Sequence, residues 1–259
     1  MGVVEAVKKG FALSGKLKNV MVLFFVLNVA MGLISLPLSS PGNVGNPGIA
    51  VISFILTVVF FAIFIFLQGG ALGMARDIHK TGACEMSNFA VYGKRYYLRI
   101  LGLLSLYILI AIGVVLILAL LGSGLLALAD NPFTKTLIGV IAGVVALIII
   151  VLLLFPIYSI VANESSIIQA LKRGVKTGRD NFWISLGLFA LLIVISILIS
   201  LVVGFAAGLI TAPLPITISQ IIITIANSAV QSYIPIVMML ALMGFYLGIC
   251  NKEIDAPQQ

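Results

Sequence analysis

The residues best suited to chemistry stand between two long apolar runs: Arg76, Asp77, His79, Cys84 and Glu85. An imidazole, a thiolate and a carboxylate that converge can hold a divalent metal, and a carboxylate can act as a general base. One histidine and one cysteine in a connecting loop do not make a zinc-site spacing. The cluster reads instead as a solvated membrane border in which Arg76 and Asp77 finish a helix and pair locally. A second junction, Asn163-Glu164-Ser165-Ser166, reads as a helix start, with Asn163 as its cap and Glu164 in the first turn, where negative charge suits the helix dipole. The chain contains no GxSxG elbow, Walker loop or HExxH pair. A non-enzymatic protein with no catalytic set, cofactor or metal is therefore expected.

The elements that must position these residues are membrane helices. Of 259 residues, 62% are hydrophobic and only 9% are charged, whereas soluble domains carry about 25% charge. Lipid offers no partner to backbone N–H and C=O groups, so each crossing needs roughly 20 mostly apolar residues in a helix. Six runs qualify: residues 20–38, 49–75, 100–129, 136–161, 183–210, and one ending at 249. The fold class expected is an all-α bundle of six transmembrane helices in a single integral membrane domain, 1–259.

Residues 216–249 admit two readings. One is a long kinked helix; the other is a short interfacial or re-entrant helix followed by a span from about Tyr233. The second is preferred, because Ser232 can cap a helix and Pro235 is tolerated in a first turn. Pro156 is expected to kink the fourth span.

Charge placement supports an even number of crossings. Lys8, Lys9, Lys16 and Lys18 precede the first span, and Arg76, Lys80, Lys94, Arg95 and Arg99 lie between the second and third. Lys172, Arg173, Lys176 and Arg179 lie between the fourth and fifth, and Lys252 follows the last. Lys135 alone falls on the other side. Positive residues collect on the cytoplasmic face, which predicts a multi-pass protein of the cell membrane with both termini cytoplasmic. The net charge of +7 then faces anionic lipid head groups. Its dispersal among three loops, without a binding module, argues against nucleic acid.

Cys84 and Cys250 fall on the reducing side, so no disulfide is expected. The first run is long enough to span rather than to be a cleaved leader, and Met1-Gly2-Val3-Val4-Glu5-Ala6 lacks the hydroxyl residue of a myristoylation signal.

Three lead-ins share one layout: Gly15-Lys16-Leu17-Lys18-Asn19, Gly93-Lys94-Arg95-Tyr96-Tyr97 and Gly178-Arg179-Asp180-Asn181-Phe182. In each, glycine is expected to let the chain turn while a cation sits at head-group depth. Tyr96, Tyr97, Phe182 and Trp183 are expected to anchor at the interface. Amphipathic helices are expected ahead of them: Val4, Val7 and Phe11 make one stripe, and Ile167, Leu171 and Val175 another. A weaker copy spans residues 83–92. The pattern implies three parallel hairpin repeats, 1–75, 76–161 and 162–250.

Between spans the outward connections are short turns: Ser39-Ser40-Pro41-Gly42-Asn43-Val44-Gly45-Asn46-Pro47-Gly48, Asp130-Asn131-Pro132 and Thr211-Ala212-Pro213-Leu214-Pro215. Within spans, the pairs Gly69/Gly73, Gly139/Gly143, Gly204/Gly208 and Gly244/Gly248 are expected to serve internal helix packing. Asn28, Gln68, Asn227 and Gln231 are the candidate intramembrane polar contacts. Interhelical hydrogen bonds are the simpler role for them, and substrate contact the alternative.

The segment Phe155-Pro156-Ile157-Tyr158-Ser159-Ile160-Val161-Ala162-Asn163-Glu164, followed by Ala170-Leu171-Lys172-Arg173-Gly174 and Arg179-Asp180-Asn181-Phe182-Trp183, resembles a group of uncharacterised six-span membrane proteins of archaea and bacteria. That group includes the membrane domain attached to some glycerophosphodiester phosphodiesterases. The resemblance covers about residues 69–187. It implies a fold-forming role for Pro156, Glu164, Ala170, Leu171, Arg179 and Asn181, and no phosphodiesterase activity, since the soluble catalytic domain is not in this chain.

Together these features imply a non-enzymatic protein that binds or organises lipid, anionic lipid above all, or a membrane partner. Lys16, Lys18, Lys94, Arg95, Lys172, Arg173, Lys176 and Arg179 are its candidate head-group contacts. A small-solute or lipid-like transporter or channel is the alternative.

Overall fold

A computed structural model of the protein describes residues 2–38, 41–43, 45–129 and 131–255. Ser39, Ser40, Val44 and Asp130, in two of the expected outward turns, lie outside these. Every regular element among the described residues is helical: α1 (Val3–Ser14), a 3₁₀ turn (Gly15–Leu17), α2 (Lys18–Leu38), a second 3₁₀ turn (Pro41–Asn43), α3 (Pro47–Thr81), α4 (Ser87–Leu128), α5 (Pro132–Leu152), α6 (Pro156–Ala162), α7 (Ile167–Asp180), α8 (Phe182–Thr211) and α9 (Ile216–Asp255). Six stretches are long and apolar enough to cross a membrane. The chain is an all-α, six-transmembrane-helix protein.

Local chemistry sets several boundaries. Asn46 caps α3 by accepting from the Gly48 and Ile49 N–H groups, with Pro47 in the first turn. Asn131 and Pro132 start α5 in the same way. Gly82 ends α3 in the left-handed region, φ +78°, where its N–H donates to the Ile78 carbonyl. At 42 and 40 residues, α4 and α9 are each about 60 Å long, twice the roughly 30 Å hydrocarbon core. Each must tilt or run on past the lipid.

Two compact units make up the chain: residues 1–97 with 187–259, and residues 98–186. In the first, α1 and α2 pack on α9, and α3 packs on both α2 and α9. Its core is concentrated in the latter halves of α3 and α9, where Ile65, Leu72, Ile236, Leu240, Phe245 and Tyr246 are buried. The first half of α3 instead exposes Val51, Phe54, Ile55, Val58 and Phe61, the apolar surface expected of a lipid-facing helix. In the second unit, α6 and α5 pack on α7, with Val151, Phe155, Ile160, Val161 and Ala170 buried.

Several expectations are corrected. Residues 216–249 do not divide into an interfacial helix and a span: α9 runs unbroken through Pro235. Ser232 is not a cap. Its hydroxyl donates to the Ser228 carbonyl and accepts from Asn28 Nδ2 at 3.1 Å. Packing overrides the proline: α1 lies so close that a Cβ on Gly10 would come within 2.8 Å of the Val237 carbonyl oxygen. Residues 83–92 form no separate amphipathic helix, because their second half begins α4.

Asn163 ends α6 rather than starting α7, whose flanking residue is Ser166, and Glu164 lies in the connection with φ +53°. Gly15 opens the 3₁₀ turn between α1 and α2, but the other two lead-in glycines do not turn the chain. Gly93 and Gly178 are helical, and each leaves room for a neighbour: Phe66 crowds the first, the Val151 carbonyl and Leu152 the second. Tyr96 is fully buried and is no surface anchor, whereas Trp183 is 79% exposed.

On α7 the buried residues are Ala170, Gly174, Thr177 and Gly178, while Ile167, Leu171 and Val175 are half-buried. Small residues let Gly174 meet Pro156 directly. The fourth span breaks at 153–155, and the Tyr107 hydroxyl donates to the Leu153 carbonyl at 2.8 Å, supplying a partner at a helix end.

Candidate functional site

The polar centre of the first unit is built on α3 and the start of α4. Gly70 and Gly73 carry no side chain where Phe89 and Tyr92 press against α3, and this close approach brings Arg76 to two tyrosines. Arg76 Nη1 donates to the Tyr96 hydroxyl at 2.9 Å, while Nε and Nη2 lie 3.2 and 3.1 Å from Asp77 Oδ1. The Tyr92 hydroxyl donates to Asp77 Oδ2. The guanidinium also sits 5.3 Å from the Tyr92 ring centre, a cation–π distance. With side chains only 11% and 21% exposed, Arg76 and Asp77 are sheltered from water and compensate each other.

The remaining members of the cluster are committed elsewhere. His79 Nε2 lies 2.9 Å from the Leu240 carbonyl; a carbonyl only accepts, so Nε2 carries the proton. Gly244 makes room for that ring, since a Cβ there would fall 2.6 Å from Cε1. Cys84 Sγ donates to the Lys16 carbonyl at 3.7 Å, and Lys16 Nζ donates to the Gly82 carbonyl at 2.6 Å. Burial, and then the charge of Asp77, push the Cys84 thiol above its ordinary pKa. Among the described residues no three His, Cys, Asp or Glu side chains are placed to hold a metal. What the arrangement does is stitch the lead-in after α1, the end of α3 and the start of α4 into one hydrogen-bonded junction.

The candidate head-group contacts fall into two sets. Lys18, Lys94, Lys172, Arg173 and Lys176 are exposed and, among the described residues, have no acidic group within salt-bridge distance. The other three are engaged within the fold. Lys16 bonds Gly82, Arg95 lies 5.9 Å from the Tyr96 ring centre, and Arg179 Nε is 3.4 Å from Asp180 Oδ1.

Of the intramembrane polar residues, Asn28 is joined to Ser232, Gln68 is half-buried, and Asn227 and Gln231 are exposed on α9. The glycine pairs also divide. Gly73 and Gly244 are packing sites, whereas Gly139, Gly143, Gly204 and Gly208 have open space where a Cβ would stand.

Arg99 and Glu164 form a contact that sequence reasoning missed: Arg99 Nη1 donates to the Glu164 carbonyl at 2.9 Å across 65 residues of sequence. The signal available was the acidic residue soon after Pro156, but spacing alone does not reveal which cation its backbone meets.

Residues 1–249 match the family described as a domain of unknown function (DUF7847). The chain belongs to that family. Neither the curated proteins nor the solved structures include a match to it. Membership of DUF7847 agrees with the resemblance to uncharacterised six-span membrane proteins, and gives no specific tie to glycerophosphodiester phosphodiesterase membrane domains. For this DUF7847 chain the six-span likeness therefore stands.

Proposed function

We propose that this DUF7847 protein is a non-catalytic membrane protein that binds and organises anionic lipid through its exposed lysines and arginines. The observation that supports it is the division of the cations. Arg76, within the junction, is paired with Asp77 and donates to the Tyr96 hydroxyl, whereas Lys18, Lys94, Lys172, Arg173 and Lys176 are exposed and, among the described residues, have no acidic group within salt-bridge distance. A juxtamembrane cation near an anionic surface contributes about 1 kcal/mol, so a handful of them produce a marked preference without a deep pocket.

The test is lipid partitioning around the purified protein in nanodiscs made from equal parts phosphatidylglycerol and phosphatidylcholine. The reading expects phosphatidylglycerol enrichment in the lipids that remain bound after release into detergent. Replacing the five cations with glutamine should reduce that enrichment markedly while leaving the helical signal intact. Equal retention of both lipids by the wild-type protein would contradict the reading. Solute flux through proteoliposomes would favour the transporter alternative instead.

A further inference from the structure

Resting on that lipid-binding reading, we infer that the groove between α4 and the start of α7, within the unit of residues 98–186, is a seat for one anionic phospholipid whose phosphate sits on Arg99. The groove has a volume of about 640 Å³ and is lined by Arg99, Gly102, Ser105, Leu106 and Leu109 of α4, with Ser166, Ile167 and Ile168 opposite. A cavity of this size lies within the range of small-molecule sites.

The lining is graded along the helix. Arg99, Gly102, Leu106 and Leu109 recur at three- and four-residue steps and so share one face of α4. From Arg99 to Leu109 the helix rises about 15 Å, half of the roughly 30 Å hydrocarbon core, which is the depth of one leaflet. The cation stands at one end and leucines at the other, as a head group and its acyl chain require. Gly102 lets the wall close: a Cβ there would lie 2.5 Å from Ile167 Cδ1.

Arg99 is held for this task. It is half-buried, and one of its five N–H donors is spent on the Glu164 carbonyl. That carbonyl belongs to the single non-glycine residue among those described with positive φ, +53°, a backbone conformation that costs energy and persists only where its surroundings demand it. The remaining donors suit a phosphate, which guanidinium binds through paired hydrogen bonds. Ser166 makes no side-chain cap bond to α7, so the first N–H groups of that helix add a favourable field for an anion at the same end. The apolar wall supplies the rest of the affinity, and this selects a phospholipid over inorganic phosphate.

The experiment is native mass spectrometry of the full chain with added phosphatidylglycerol, phosphatidylcholine or inorganic phosphate. One phosphatidylglycerol should be retained more tightly than the rest. Arg99→Gln should weaken that adduct about tenfold, since a hydrogen bond to a charged group is worth at least that factor, and Arg99→Lys should recover part of it. Leu109→Trp, which fills the groove and leaves the Arg99 bond intact, should also remove the adduct, so a folding defect in the glutamine variant does not decide the matter. Undiminished retention in both Arg99→Gln and Leu109→Trp overturns the seat while the general anionic preference survives. If wild type retains neither lipid preferentially, the broader reading fails with it. Retention of inorganic phosphate as tight as that of the lipid would also overturn the assignment.

Discussion

Lys16 Nζ donates to the carbonyl of Gly82 at 2.6 Å, tying the basic lead-in after α1 to the left-handed residue that ends α3. A cation that composition assigns to lipid thus holds a loop in place. Lys16→Ala should lower stability by about 1 kcal/mol or less, because the bond is exposed. It should change phosphatidylglycerol enrichment less than Lys18→Ala or Lys94→Ala does. Thermal unfolding in detergent and bound-lipid analysis on the same samples check both halves.

Gly73 and Gly143 carry opposite expectations although both stand in small-residue pairs. A Cβ at Gly73 would overlap the Tyr92 ring, and at Gly143 it would meet nothing within 4 Å. Gly73→Val should therefore cost about 1–3 kcal/mol, the usual range for overpacking, and should loosen the Arg76 junction. Gly143→Val should be nearly neutral. Unfolding curves of the two variants side by side provide the comparison.

Asn28 and Ser232 form one interhelical hydrogen bond between α2 and α9. A double-mutant cycle with Asn28→Leu and Ser232→Ala should give a coupling energy of about 0.6 kcal/mol, typical of such bonds in membranes. Strict additivity of the two substitutions would show that the bond contributes nothing.

Cys84 should be a slow nucleophile near neutral pH. Burial and the charge of Asp77 favour its neutral thiol, so its alkylation rate should rise with a midpoint above that of an ordinary thiol. Lys16 pulls the other way, and Lys16→Gln should shift the midpoint further upward. The sign for stability follows: with the folded pKa raised, the contribution is fully present below the unfolded pKa and is lost as pH climbs through the folded value. Stopped-flow labelling with a maleimide across pH 7 to about 10, covering the ordinary thiol range, measures the midpoint directly.

The six crossings were legible because lipid imposes a length and polarity rule that hydropathy reads without tertiary information. The local Arg76–Asp77 pair was legible for a similar reason, since neighbouring opposite charges at a helix end have few other partners. The continuity of α9 was not. Pro235 removes a backbone donor, yet α9 continues through it where other helices pack on it, Gly10 of α1 lying against Val237 and Ala241. The burial of Tyr96 was not legible either, because aromatic residues beside cations suit both an interface belt and a buried junction. The groove at Arg99 joins α4 to residues some 65 positions later, and no periodicity in either segment announces that meeting.

The positive-inside rule expects the loops that carry Lys94 and Lys172 both to lie on the cytoplasmic side of the membrane. Substituting cysteine singly at Lys94 and Lys172, in a background with Cys84 and Cys250 replaced by serine, allows a membrane-impermeant maleimide to be applied to intact cells and to inverted vesicles. Both positions should be labelled in inverted vesicles and protected in intact cells. Labelling of one position from each side would show that the two loops lie on opposite sides of the membrane.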